Sequence, residues 1–155
     1  MNQTAESATI LLADDDADDR MLVRDALADC GITNRLRFVE DGDALLAYLR
    51  RSGPYAAPGQ APTPSVILLD LNMPKKDGRE ALYEIKQDPE LAKIPVVVLT
   101  TSRSPEDMQR SYALGANAVV VKPVTFDGLV NLMQMLVAAW LNTSSQPDIA
   151  GGEQA

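Results

Sequence analysis

The sequence predicts an α/β fold, a doubly wound parallel sheet of five strands built from five βα units. Three observations lead there. Five short runs rich in Val, Ile and Leu alternate with stretches of helical period. The runs are apolar throughout, as in strands covered on both faces. Several end abruptly on a carboxylate, hydroxyl or ammonium residue, where a buried strand gives way to an open loop. Such a pattern implies right-handed crossovers with helices on both faces of the sheet.

The first strand is residues 8–13 (ATILLA), after a polar N-terminal tail over 1–7. Asp14, Asp15 and Asp16 follow, with Asp18 and Asp19 close behind. From Asp16 the period turns helical, with Leu22, Val23, Ala26, Leu27 and Cys30 on one face and Gly31 at the end. Asp16 suits an N-cap, and the acidic first turn suits the positive end of the helix dipole. Residues 36–39 (LRFV) make a second strand. Asp41-Gly42 turns it into a second helix, to about Arg51, with Leu45, Leu46 and Leu49 inward. Residues 52–64 hold four of the ten prolines and two glycines and read as one surface loop.

Residues 65–69 (SVILL) form the third strand and end in Asp70. Asn72, Met73-Pro74, two lysines and Asp77-Gly78 make the loop after it. A third helix spans about 78–87, with Leu82 and Ile85 inward. Residues 96–99 (VVVL) are the fourth strand and run into Thr100, Thr101 and Ser102. Ser104-Pro105-Glu106-Asp107 reads as N-cap, N1 proline and capping box. That helix ends near Leu114, with Gly115 after it. Residues 118–121 (AVVV) are the fifth strand, ending at Lys122-Pro123. Thr125 starts the last helix, which reaches about Leu141. Residues 142–155 are polar and aperiodic, a tail. The domain expected is therefore 8–141.

Composition narrows the function. At 155 residues the chain suits one domain with a real core. A net charge of −8 argues against a nucleic-acid face and fits a protein that takes up a cation. The lone Cys30 excludes an intrachain disulfide. With no histidine, the chain has no His metal ligand, no Ser-His-Asp triad and no phosphohistidine of its own. No apolar run approaches the ~18 residues of a membrane span. The N-terminus lacks the pattern of a signal peptide, so a cytoplasmic location is the default.

The C-terminal ends of parallel strands share one edge, where ligands of open α/β sheets bind. Asp14 and Asp15 stand there, with Asp70, Asn72, Thr100 and Lys122. Carboxylates gathered in one pocket repel unless a cation neutralises them. Oxygen donors without His or Cys suit Mg²⁺ or Mn²⁺. A lysine and a threonine hydroxyl opposite that metal suit a phosphoryl group, one by charge and one by a hydrogen bond. The chemistry indicated is phosphoryl transfer to a carboxylate. Singly, each piece has a plainer reading: a solvated helix start, a polar turn, a strand exit.

Together these residues resemble the receiver domain of two-component response regulators, with its flavodoxin-like fold. The resemblance covers about residues 8–141. The acidic pair matches Asp14-Asp15, and the phosphoacceptor motif D-x-N-M-P-x-x-D-G matches DLNMPKKDG from Asp70. The switch hydroxyl matches Thr100, and the lysine before proline matches Lys122-Pro123. The resemblance implies Mg²⁺ or Mn²⁺ held by Asp15, Asp70 and the Asn72 backbone carbonyl, with Asp14 acting through water. It implies that Lys122 grips the phosphoryl oxygens and that the Lys122–Pro123 peptide is cis. It also implies a histidine kinase partner, met by the first helix, and slow self-dephosphorylation. Several segments, among them ILLADDDADDR, LLDLNMPKKDGRE and YALGANA, are most similar to single-domain receivers of bacterial phytochrome kinases, which implies a place in light signalling.

Two positions depart from the family pattern. Val119 stands where receivers usually carry a Tyr or Phe whose ring turns inward on activation. Thr101 stands where many have a smaller residue, and its bulk is expected to slow entry of water and small phosphodonors. The last helix carries an inward stripe of Leu129, Leu132, Leu136 and Trp140, and an adjoining apolar face of Val130, Met133, Val137 and Leu141. That second face reads either as a broad core or as part of a homodimer interface through the fourth helix, fifth strand and fifth helix. Two other functions compete with the receiver. One is a Mg²⁺-dependent aspartyl-phosphate phosphohydrolase, which usually keeps its D-x-D nucleophile after the first strand. The other is an interaction module that takes no phosphate. Neither G-x-G-x-x-G nor a P-loop occurs.

Overall fold

A computed structural model describes residues 8–31 and 35–141. The tails over 1–7 and 142–155 lie outside the described residues. The strands are β1 (Thr9–Ala13), β2 (Arg35–Val39), β3 (Val66–Asp70), β4 (Val96–Thr100) and β5 (Ala118–Val121). The helices are α1 (Ala17–Asp29), α2 (Gly42–Arg50), α3 (Gly78–Gln87), α4 (Pro105–Ala113) and α5 (Phe126–Trp140). All strand pairs are parallel, in the order β2-β1-β3-β4-β5. Two short 3₁₀ turns, Gly53–Tyr55 and Leu91–Lys93, add local order to connections that read as plain loops.

Every helix starts on a side-chain cap. Asp16, Asp41, Asp77, Ser104 and Thr125 each accept a backbone N–H of their helix's first turn. The capping box expected at α4 is relayed rather than reciprocal. Asp107 accepts the Ser102 hydroxyl at 2.7 Å, and the Ser104 N–H donates to Ser102 Oγ at 3.1 Å. Ser102 thus ties the end of β4 to α4.

Alternate residues of each strand serve opposite faces. Leu11, Ile67, Leu69 and Val98 pack under α2 and α3, against Leu45, Leu46, Leu82 and Ile85. Ile10, Leu12, Leu68 and Leu99 pack under α1 and α5, against Val23, Leu27, Leu132 and Met133. Burial of β1 on both sides explains its unbroken apolar run. The proline-bearing loop is stapled to α2: Tyr48 Oη donates to the Pro62 carbonyl at 2.8 Å and Arg51 Nε to the Ala61 carbonyl at 3.0 Å.

Two readings of the helix faces are corrected. Leu22 does not join the α1 core face but stays half exposed. Of the two readings of the second α5 face, the broad core holds for its four residues, which are not an exposed face. Met133, Val137 and Leu141 are buried, and Val130 is half-buried against the same core. A helix crossing a twisted sheet beside α1 needs a wide apolar stripe, and α5 spends both stripes on that layer. Among its described residues, Met135 is the large apolar side chain of α5 that points most to water.

Met133→Ala should therefore lower unfolding free energy by ~2–5 kcal/mol, the range for emptying a core site. The loss should not vary with protein concentration. A loss seen only where the protein self-associates would return Met133 to an interface. Gly78 sets a second test. A Cβ there would lie 2.6 Å from Leu71 Cα and 2.7 Å from the Asp70 carbonyl oxygen, both backbone atoms. Gly78→Ala should lower stability by ~1–3 kcal/mol, read as a shifted urea midpoint at unchanged slope. An unshifted midpoint would mean that the loop after β3 yields freely.

Candidate functional site

The site sits where β1, β3 and β5 end on the same edge of the sheet. Asp14 is the residue after β1, and its N–H donates to the Val39 carbonyl at 3.0 Å, prolonging the β1–β2 ladder. Asp70 closes β3, in register with Leu99. Thr100 closes β4, and its carbonyl accepts the Lys122 N–H at 2.7 Å, extending the β4–β5 ladder past Val121. That bond fixes the backbone from which Lys122 reaches the carboxylates.

Oxygens of Asp14, Asp15 and Asp70 lie within 4.8 Å of one another. Asp14 is buried, Asp70 half-buried and Asp15 exposed. Asp14 Oδ1 accepts the Asp16 N–H at 2.9 Å, and Asp70 Oδ1 accepts the Asn72 N–H at 3.1 Å. Each of these two carboxylates thus commits one oxygen to its own loop. The other oxygens face Lys122 Nζ, at 3.6 Å from Asp14 and 3.8 Å from Asp70. The nearest partner of Lys122 is a third carboxylate, Asp19 Oδ2, at 3.0 Å.

Burial raises the Asp14 carboxyl to about 6, against the pull of the Asp16 N–H and the Lys122 charge. Burial likewise raises Asp70, while the Asn72 N–H and Lys122 oppose it. Burial acts to lower Lys122, but the Asp19 hydrogen bond and the charges of Asp14 and Asp70 outweigh it, so the ammonium is held above its ordinary value. The pocket therefore keeps more negative charge than one lysine balances. A hard divalent cation bound by oxygen fits that deficit.

The loop after β3 is braced from two sides. The Gly42 N–H donates to the Lys76 carbonyl at 2.9 Å, and Lys75 Nζ lies 3.7 Å from Asp41. Lys76 pairs with Glu84, which also holds Arg50. The Gly78 N–H returns to the Leu71 carbonyl at 3.0 Å. The turn puts Lys75 at φ +61°, a left-handed conformation that a side chain rarely adopts.

The other residues singled out from sequence fall beside this cluster. Thr100 Oγ1 accepts the Ser102 N–H at 3.0 Å, and Thr101 is exposed beyond it. Val119 packs against the core layer under α2 and α3, and its N–H donates to Tyr112 Oη at 3.2 Å. The Lys122–Pro123 peptide is trans, not cis. Trans is the lower-energy form of an X–Pro bond by ~0.5–1 kcal/mol.

Two neighbours of the cluster escaped sequence reasoning. Asp19 was legible only as one more acidic residue of a helix start. Asp15 lies before the helix, which starts at Ala17, so no helical spacing tied Asp19 to the strand-end acids. Arg20 was not singled out at all. Its Nη1 donates to the Asp14 carbonyl at 2.8 Å and its guanidinium lies over the Phe38 ring, so it pins the end of β1 to β2.

Comparison with known proteins identifies the family. A family model, the response regulator receiver domain, matches residues 10–134. Response regulator Rcp1 of Synechocystis sp. is 44% identical over 138 residues, which are 89% of this chain and 92% of that protein. The crystal structure of the phosphorylated cyanobacterial phytochrome response regulator RcpA shares 42% identity at a TM-score of 0.81, over 92% of this chain and 99% of that one. The Mn²⁺-bound form of Rcp1 shares 42% identity at a TM-score of 0.79, over 91% and 99%. The matches run from the first strand into the last helix and take in every strand end that carries the cluster. The chain belongs to the response regulator receiver family.

Proposed function

We propose that Asp70 accepts a phosphoryl group from the phosphohistidine of a histidine kinase, with a divalent cation bound beside it. Phosphoryl acceptance is typical of the family. The observation that carries the reading here is the convergence of Asp14, Asp15 and Asp70 within 4.8 Å, with Lys122 Nζ 3.8 Å from the acceptor. An Asp70 carboxylate oxygen attacks phosphorus while the P–N bond breaks, and the imidazole leaves with the electron pair. Lys122 receives the phosphoryl oxygens as a fixed point charge. Thr100 supplies a hydroxyl from the neighbouring strand end.

Asp15, Asp70 and the Asn72 carbonyl hold Mg²⁺ or Mn²⁺ in this reading, with Asp14 acting through water. The bound cation supplies charge neutralisation for the phosphoryl oxygens. The Mn²⁺-bound form of Rcp1 supports that choice of ion. The kinase is of the bacterial phytochrome type, a reading supported by the likeness to phytochrome response regulators. No helix among the described residues is long and apolar enough to cross a membrane, which fits the cytoplasmic setting of such a kinase partner. With Val119 in place of an aromatic ring, activation passes through backbone and packing shifts at the β4 and β5 ends. Thr101 narrows the approach to Asp70.

Incubation with Mg²⁺ and acetyl phosphate, followed by intact mass, should give a single phosphoryl adduct. Asp70→Asn or a chelator should abolish it. An adduct that survives Asp70→Asn would place the acceptor elsewhere, and no adduct even with a cognate kinase would remove the reading.

The raised Asp14 carboxyl makes a second prediction, with a definite sign. Its folded value of about 6 exceeds the ordinary 3.8, so between the two the folded metal-free protein holds a proton that the unfolded chain releases. That contribution to stability is present at acid pH and is lost as pH rises through about 6. Bound Mg²⁺ competes with the same proton. The rise in Tm on adding Mg²⁺ should therefore be larger at pH ~7.5 than at pH ~5, and Asp14→Asn should flatten the difference. An equal rise at both pH values would show that Asp14 takes no part in cation binding.

A further inference from the structure

We propose that Asp19 restrains phosphoryl binding, holding the Lys122 ammonium on the α1 side of the pocket in the resting protein and surrendering it to the phosphoryl group. The inference rests on Asp70 being the acceptor. Lys122 Nζ stands among three carboxylates, and its hydrogen bond goes to the one on α1. Asp19 lies at 3.0 Å, against 3.6 Å for Asp14 and 3.8 Å for Asp70. A phosphoryl oxygen on Asp70 would compete for the ammonium, and the hydrogen bond it would compete with is the one to Asp19.

The surroundings make Asp19 the partner that is easily given up. Its side chain is 38% exposed, whereas that of Asp14 is 1% exposed. Once released, Asp19 is hydrated at little cost. A released Asp14 would be a buried, unpaired charge, which is expensive. Asp19 is also well placed to hold. It lies in the first turn of α1, where its N–H donates to the Asp16 cap at 3.3 Å, so its carboxylate projects from a fixed backbone. A cleft lined by Asp14, Asp19, Leu22, Leu99, Lys122 and Leu129 opens beside the lysine on its α1 side. Exposed Leu22 lines the same cleft as Lys122.

Asp19 thus opposes phosphoryl binding by competing for Lys122. Removing its charge should free the lysine and tighten the site's grip on a phosphoryl group. Asp18 supplies the control. It carries the same charge in the same turn, but it is its backbone N–H that bonds to Asp16, which substitution leaves in place.

The test uses the full chain with Mg²⁺ and beryllofluoride as the phosphoryl analogue, its bound resonance titrated by ¹⁹F NMR. Asp19→Asn should bind beryllofluoride about three- to fivefold more tightly than Asp18→Asn, the scale of a half-exposed ion pair. The difference should vanish when both substitutions are repeated in a Lys122→Ala background, because the coupling runs through that side chain. Equal affinities for Asp19→Asn and Asp18→Asn would overturn the proposal, as would a difference that persists without Lys122. Wild-type protein is run in parallel with acetyl phosphate. If it takes no adduct on Asp70 from acetyl phosphate or from a cognate kinase, the acceptor reading itself falls. If it takes one and Asp19→Asn behaves as Asp18→Asn, only the role of Asp19 falls.

Discussion

Lys122 reaches from the end of β5 to carboxylates carried by β1, α1 and β3, and the upper edge of the sheet depends on that contact. Asp14 is buried at the end of the most enclosed strand, where an unpaired charge would be severely destabilising. Burial answers by raising the carboxyl, and the lysine answers by pairing with it. The lysine arrives only because the β4–β5 ladder continues one bond past Val121, through the Thr100 carbonyl. Strand register, rather than any one side chain, is therefore what assembles the pocket.

The pocket is poised rather than satisfied. One ammonium faces Asp14, Asp19 and Asp70, with Asp15 alongside. A closed ion-pair network would leave no use for another cation or a phosphoryl group. This one leaves negative charge over, which draws in a divalent ion, and a lysine whose shortest bond goes to the most exposed of its three partners. The groups buried deepest, Asp14 and Asp70, each spend one oxygen on a turn of their own loop. That fixes the direction of the second oxygen on the β1 and β3 sides of the pocket.

Much of this was legible in the residues. Asp70 could be placed because an unbroken Val, Ile and Leu run ends on it, and such runs belong to strands buried on both sides. The strand-end positions of Asp14, Thr100 and Lys122 followed from the same pattern. Less was legible where a residue's role depends on distance across the fold. The apolar face of α5 contained Val130, Met133, Val137 and Leu141, and sequence cannot tell a broad core stripe from an interface. Period gives the face of a helix but not how much of it a twisted sheet and a neighbouring helix cover. Leu22 shows the reverse error, since it sits at a core-like spacing yet borders an open cleft. The Lys122–Pro123 bond shows the limit of family resemblance, which implied cis where the chain runs trans.

By itself the sequence determined the five βα units, the cap at the start of α1 and the chemical identities standing at the strand ends, because these depend on local periodicity and residue type. It also determined that the pocket is acidic, oxygen-rich and free of histidine. Only the tertiary structure decided which charges touch. Asp19 and Lys122 are 103 residues apart, and their 3.0 Å contact is the shortest that the lysine ammonium makes to a carboxylate. Nothing in either neighbourhood announces the other, for the contact exists only when β5 lies beside β4 and α1 packs against α5.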